Sequence, residues 1–279
     1  MTKKIMGIQY GRGATATITN DGPAHGPMAI RKMFPNADWI MVTPDEFDLS
    51  ECMADRFGEN AKIQKKIYEN TPTESHIMIG GDHSVNFGHF AAIADNLASQ
   101  DICLVYIDAH LDIHCPETSK TQASGAPHGT NVRALLGDGD KRWLALQKKQ
   151  PALMPENIFY LATRSFEPAE IDYAKSQNIY IRTAEQLKNE SDWDATVSEI
   201  RKKIGNRKFV VSFDFDAIDP SLFADVLVPE PNGISLDAAR YFVNAFRDAF
   251  SFEFVEYAPT GDTKSASIAN ELVKIIYDN

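Results

Sequence analysis

The segment Asp108-Ala109-His110-Leu111-Asp112 follows an apolar run at 102–107 and sets two carboxylates and an imidazole at alternate positions. In an extended chain residues i, i+2 and i+4 fall on one face, so these three side chains point into one small volume. There they repel one another or hold a cation. A second apolar run, 209–213, delivers Asp214 and Asp216, again two apart, and a third, 76–79, ends in Gly80-Gly81-Asp82-His83. Three buried strands ending in ligand-type residues predict a site at their carboxyl ends, where open parallel sheets keep theirs.

His83, Asp108, His110, Asp112, Asp214 and Asp216 make four carboxylates and two imidazoles. That set exceeds one tetrahedral zinc and suits an octahedral, oxygen-preferring ion such as Mn²⁺. Two divalent ions sharing carboxylates satisfy this much negative charge. Such pairs, roughly 3.5 to 4 Å apart, make hydroxide available near neutral pH. The chemistry that follows is hydrolysis at an electrophilic carbon or phosphorus.

The rest of the chain must position these groups. Short apolar runs at 5–10, 39–42, 76–79, 102–107, 157–162, 179–181, 209–213 and 252–257 predict strands. Helical periodicity falls between them, at 25–34, 54–68, 84–96, 128–136, 141–149, 168–176 and 193–204, then from the cap Ser235 to 250, and at 265–277. Strands alternating with helices from end to end predict an α/β fold of three layers, a mostly parallel sheet of about eight strands between helices. No composition shift divides residues 1–279, so one domain is expected.

Net charge is −11, which argues against nucleic acid or an anionic membrane as partner. The three cysteines, Cys52, Cys103 and Cys115, form neither a disulfide framework nor a zinc signature. No window reaches the roughly 18 apolar residues of a membrane span. A reduced, cytoplasmic location is expected.

Together, Gly80-Gly81-Asp82-His83-Ser84, Asp108 to Asp112, and Ser212-Phe213-Asp214-Phe215-Asp216-Ala217-Ile218-Asp219-Pro220 resemble the ureohydrolases, the family of arginase, agmatinase, formimidoylglutamase and related guanidino acid hydrolases. His25-Gly26-Pro27-Met28-Ala29-Ile30-Arg31 adds a weaker likeness. The resemblance implies an arginase-like fold and two Mn²⁺ ions. His83, Asp108, Asp112 and Asp214 would hold one, and His110, Asp108, Asp214 and Asp216 the other. It further implies a metal-bridging hydroxide attacking a guanidinium or amidine carbon, oriented by Asp112. His128 would relay a proton to the leaving amine, and Glu256 would pair with the guanidinium. Trimers or hexamers are implied as well.

The same resemblance assigns the remote end of the substrate to His114, Ser124, Glu167 and Glu170. His114 stands where arginases carry Asn, and Glu167 where they carry Asp. Leu222 to Leu227 replaces a Gly-rich turn, and Tyr257 is expected to place a bulky phenol beside Glu256, the guanidinium partner. The expected activity is hydrolysis of L-arginine to L-ornithine and urea. Agmatinase, formimidoylglutamase or another guanidino acid hydrolase is the alternative of the same class. A non-catalytic metal-binding relative with an altered substrate pocket is the alternative of another class, and a zinc-dependent deacetylase fits the acidic ligands poorly.

Overall fold

Strand positions in this chain are apolar on consecutive residues rather than on alternate ones, which requires a sheet buried on both faces. A computed structural model, describing residues 3–14, 22–45, 54–97, 101–115 and 125–279, has that sheet. Its strands are β1 Lys4–Ile8, β2 Asp38–Val42, β3 His76–Ile79, β4 Cys103–Ile107, β5 Ile158–Thr163, β6 Tyr180–Thr183, β7 Phe209–Asp214 and β8 Ser251–Val255. They lie in the order β2-β1-β3-β8-β7-β4-β5-β6, and every pairing is parallel. The expected α/β architecture is therefore present.

Strand pleating divides the core between two faces. From β4, Cys103, Val105 and Ile107 pack with Trp193, Ile200, Phe242 and Leu272. Leu104 and Tyr106 point the other way, among Phe87, Phe90, Val132 and Trp143. Helices thus cover both faces, each supplying one apolar stripe.

Two helices are shorter than periodicity predicts. The helix expected over 141–149 is Lys141–Leu144, because Asp95 accepts hydrogen bonds from the backbone N–H groups of Lys148 and Lys149 at 2.9 and 2.7 Å. Gln147 also donates to Ala134 O at 3.1 Å. The helix expected to reach 250 is Leu236–Ala245. Arg201 takes the Ala245 carbonyl, and Phe250 N donates to Phe209 O at 2.9 Å, starting the β8 ladder instead. In both places partners distant in sequence outbid local helical hydrogen bonds.

The sheet order does one thing for function: β3, β8, β7 and β4 are consecutive neighbours at its centre. Their carboxyl ends lead directly to His83, Glu256, Asp214 and Asp108. Gly81 lets the first of these connections pass under β1, since a Cβ there would lie 1.6 Å from the Tyr10 carbonyl oxygen.

Beneath the centre of the sheet runs a buried polar chain. His76 Nε2 and His89 Nε2 share a hydrogen at 2.6 Å, His89 Nδ1 meets Glu253 Oε1 at 2.5 Å, and Asn86 Nδ2 donates to Glu253 Oε2 at 2.5 Å. Burial lowers the His76 pKa to about 3, whereas an unfolded histidine titrates near 6.5. As pH falls below about 6.5 the unfolded chain therefore binds a proton that the native chain refuses, and stability is lost from there down toward pH 3. In urea titrations, the stability margin of the wild type over His76→Leu should shrink as pH drops from 7 to 5; a margin independent of pH overturns this account. Glu253→Ala, which strands a buried imidazole, should cost about 3 kcal/mol or more.

Candidate metal centre and substrate cavity

Three strands end in the same device. Past each carboxyl end an aspartate accepts the backbone N–H two residues on: Asp82 Oδ1 from Ser84 N at 2.9 Å, Asp108 Oδ1 from His110 N at 2.6 Å, and Asp214 Oδ1 from Asp216 N at 2.7 Å. These Asx turns bend the chain and present the next ionisable residue to one point. Asp108, His110 and Asp112 do converge, but not by alternation along an extended strand as the spacing alone implies. β4 stops at Ile107, the chain turns, and Asp112 sits at φ 51°.

The resulting cluster is tight. Around His83 Nδ1 lie Asp108 Oδ2 at 2.9 Å, Asp214 Oδ2 at 3.1 Å and Asp112 Oδ2 at 3.5 Å. Around His110 Nδ1 lie Asp216 Oδ2 at 3.0 Å and Asp108 Oδ1 at 3.3 Å. Asp108 therefore gives one oxygen to each histidine, and His83-Asp108-Asp112 and Asp108-His110-Asp216 form two groups of metal-ligand type that share it. Asp214 faces His83 beside the first.

The electrostatics call for a cation. Burial, then the Asp108 charge, pushes Asp112 up to about 7. Burial and the neighbouring carboxylates hold Asp214 well above the usual carboxylate range and raise Asp216. Without a counter-ion these groups resist ionising together. Mixed imidazole and carboxylate oxygens, each group centred on one ring nitrogen, fit hard or borderline divalent ions such as Mn²⁺.

Further residues fix the cluster. Tyr106 stacks on the His83 ring at 4.4 Å and 6°, and its hydroxyl donates to Asp112 Oδ2 at 2.7 Å, as does Asn131 Nδ2 at 3.2 Å. Ser212 Oγ lies 2.9 Å from His83 Nε2. Sequence reading gave Tyr106 and Ser212 no role. The available signal is that each stands two residues before a strand-end aspartate, on its face.

Glu256 follows β8 in the left-handed region, at φ 64°. Its backbone N–H donates to Gly81 O at 2.8 Å, and its Oε1 accepts from His83 N at 2.8 Å. Its Oε2 is buried without a hydrogen-bond partner. His128 Nδ1 lies 3.2 Å from the Gly13 carbonyl. A carbonyl only accepts, so Nδ1 carries the hydrogen and Nε2 keeps the lone pair. Burial lowers the His128 pKa to about 4.

A model described as the arginase family matches residues 4–278. The chain belongs to the arginase family. It is 32% identical over 66% of its length to the arginase of Entamoeba histolytica, covering 62% of that protein. It is 29% identical over 77% of its length to the arginase of Bacillus subtilis, covering 73% of that protein. The crystal structure of the Entamoeba enzyme with L-ornithine aligns with a TM-score of 0.84 at 23% identity, over 100% of this chain and 99% of that one.

In this arginase-family fold the cluster opens into a cavity of about 290 Å³, lined also by His114, His128, Glu167, Glu170 and Glu256. His114 Nε2 is 3.2 Å from Glu170 Oε2 and 3.8 Å from Glu167 Oε1. Glu170 is heavily used locally, accepting from Glu167 N at 2.9 Å and Ile113 N at 3.3 Å. Ser124 lies outside the described residues. Sequence reading missed Ser165, Phe166, Val228 and Glu230, which line the same cavity.

One expectation is corrected. Tyr257 does not stand beside Glu256 in the cavity: its ring packs 5.8 Å from both Phe215 and Phe223, and Phe215 stacks on Phe223 at 4.7 Å. Consecutive side chains diverge, so Tyr257 and the 222–227 segment form one piece of core behind the site.

Metal binding tests the second layer. Tyr106→Phe should weaken Mn²⁺ binding about tenfold and Asp108→Asn about a hundredfold or more, measured by competition with a chelator. Unchanged affinity in Tyr106→Phe would show that its hydroxyl does not orient Asp112.

Proposed function

We propose that this protein is a dinuclear manganese hydrolase that cleaves a C–N bond of a linear guanidine, with L-arginine, giving L-ornithine and urea, as the substrate carried over from its relatives. The observation that supports it best is the division of Asp108 between two histidine-centred groups, on a cavity that also holds the unsatisfied Glu256 carboxylate oxygen. His83, Asp108, Asp112 and Asp214 are the proposed ligands of one ion, and His110, Asp108, Asp214 and Asp216 of the other. When bound, such a pair supplies the Lewis acidity that makes water nucleophilic near neutral pH.

The chain's own residues do the rest. Glu256 Oε2 accepts the guanidinium N–H and holds the planar group against the cluster. Asp112, its Oδ2 already tied to Tyr106, is oriented to accept a hydrogen bond from the nucleophile. His128, neutral at pH 7, takes on Nε2 the proton that the attacking oxygen gives up and passes it to the departing amine nitrogen as the C–N bond breaks. Glu167, Glu170 and His114, with Ser124, are the proposed contacts of the remote end. A reduced, cytoplasmic setting belongs to the same proposal, in which Cys103, buried in β4, is a core residue.

Mn²⁺-loaded protein offered L-arginine, agmatine, formimidoylglutamate and 4-guanidinobutyrate side by side should release urea or formamide from at least one. His128→Asn should lower kcat/KM by about a hundredfold with metal content unchanged. Metal retention without turnover of any compound defeats the hydrolase reading and favours a non-catalytic relative.

A further inference from the structure

The outer wall of the cavity contains a carboxylate that the proposed reaction does not use. Glu230 sits between Pro229 and Pro231, whose rings restrict the backbone. Arg164 pins this segment from behind: it donates to Glu230 O at 2.7 Å and Pro231 O at 2.9 Å, and also to Asp216 O at 2.7 Å, Ala217 O at 3.3 Å and Ala162 O at 3.3 Å. Its guanidinium is thereby spent on backbone carbonyls, and it ties the Glu230 segment to the turn carrying Asp216. The Glu230 carboxylate is held from the front by Ser165, whose hydroxyl donates to Oε1 at 3.1 Å.

The surroundings point to a cation. Among the described residues no lysine or arginine lines the cavity, while Glu167, Glu170 and Glu230 all do. At the inner end, the buried Glu256 Oε2 has no partner. Phe166 and Val228, each 40% exposed despite being large and apolar, belong to the same wall and match a methylene chain. His110 Nε2 is 3.7 Å from Glu230 Oε1, an ion-pair contact beyond hydrogen-bond range, so Glu230 faces both that histidine and the open cavity.

We propose that Glu230 is a specificity-determining residue that reads an ammonium group at the substrate end remote from the guanidinium. This rests on the guanidine-hydrolase reading and refines it. A guanidino-amine satisfies carboxylates at both ends; L-arginine satisfies them while bringing a carboxylate of its own against Glu230; a guanidino acid without an amine is disfavoured.

The test combines binding and turnover on Mn²⁺-loaded protein. By calorimetry, 1,4-diaminobutane should bind about tenfold tighter than butylamine, and Glu230→Gln should abolish that margin at unchanged metal content. Ser165→Ala, which frees the carboxylate to move, should reduce it partway. In kinetics, the preference for agmatine over 4-guanidinobutyrate should fall about tenfold in Glu230→Gln, chiefly through KM. No diamine margin in the wild type, or equal losses for both guanidines together with lost Mn²⁺, overturns the proposal in favour of a role through His110. If no guanidine is hydrolysed yet the diamine margin appears and depends on Glu230, the subsite stands and the hydrolase reading falls.

Discussion

Repulsion among buried carboxylates is the constraint from which the rest of this structure follows. Asp108, Asp112, Asp214 and Asp216 are each 6% exposed or less, and bringing such charges out of water without a cation is among the most costly things a fold can do. Two histidine nitrogens take up part of that field, and each is approached by oxygens from more than one strand. A domain with a stability margin of roughly 5 to 15 kcal/mol keeps such a cluster only if a rigid frame enforces it.

The frame comes from strand order and turn chemistry together. Four adjacent parallel strands end at the same level, and at three of those ends an aspartate side chain captures the backbone N–H two residues later. That capture both satisfies a backbone donor and stops the strand, so the following residue is aimed rather than left to a mobile loop. Behind the site, Phe213, Phe215, Phe223, Phe254 and Tyr257 form a continuous aromatic cluster. Such packing is dense enough to hold Asp112 and Glu256 in the left-handed backbone conformations they adopt.

Polarity is graded outward from this centre. Next to the carboxylates and His83 are neutral hydroxyl and amide groups, those of Tyr106, Ser212 and Asn131, which orient without adding charge. Further out, the cavity wall is acidic again but interrupted by Phe166 and Val228. Arg164, which pins this wall from behind, is turned onto main-chain oxygens. The arrangement separates the His and Asp cluster from the wall proposed to read the remote end of a ligand.

Strand identity and the candidate site residues were both legible in the residues, because each depends on local pattern: apolar runs make buried strands, and the Asp and His residues at their ends come together in one cluster. His83, Asp108, His110, Asp112, Asp214 and Asp216 could therefore be named without coordinates. What the sequence could not decide was anything set by partners far along the chain. The helix at 141 stops early because Asp95 intercepts its backbone, and Tyr257 turns into the core, where Phe215 and Phe223 pack against it. Glu230 enters the cavity because Arg164, sixty-six residues earlier in the chain, holds its segment there. Residue type determines what chemistry is available, whereas the side on which a residue faces and the groups it meets are decided by packing between segments that no local pattern encodes.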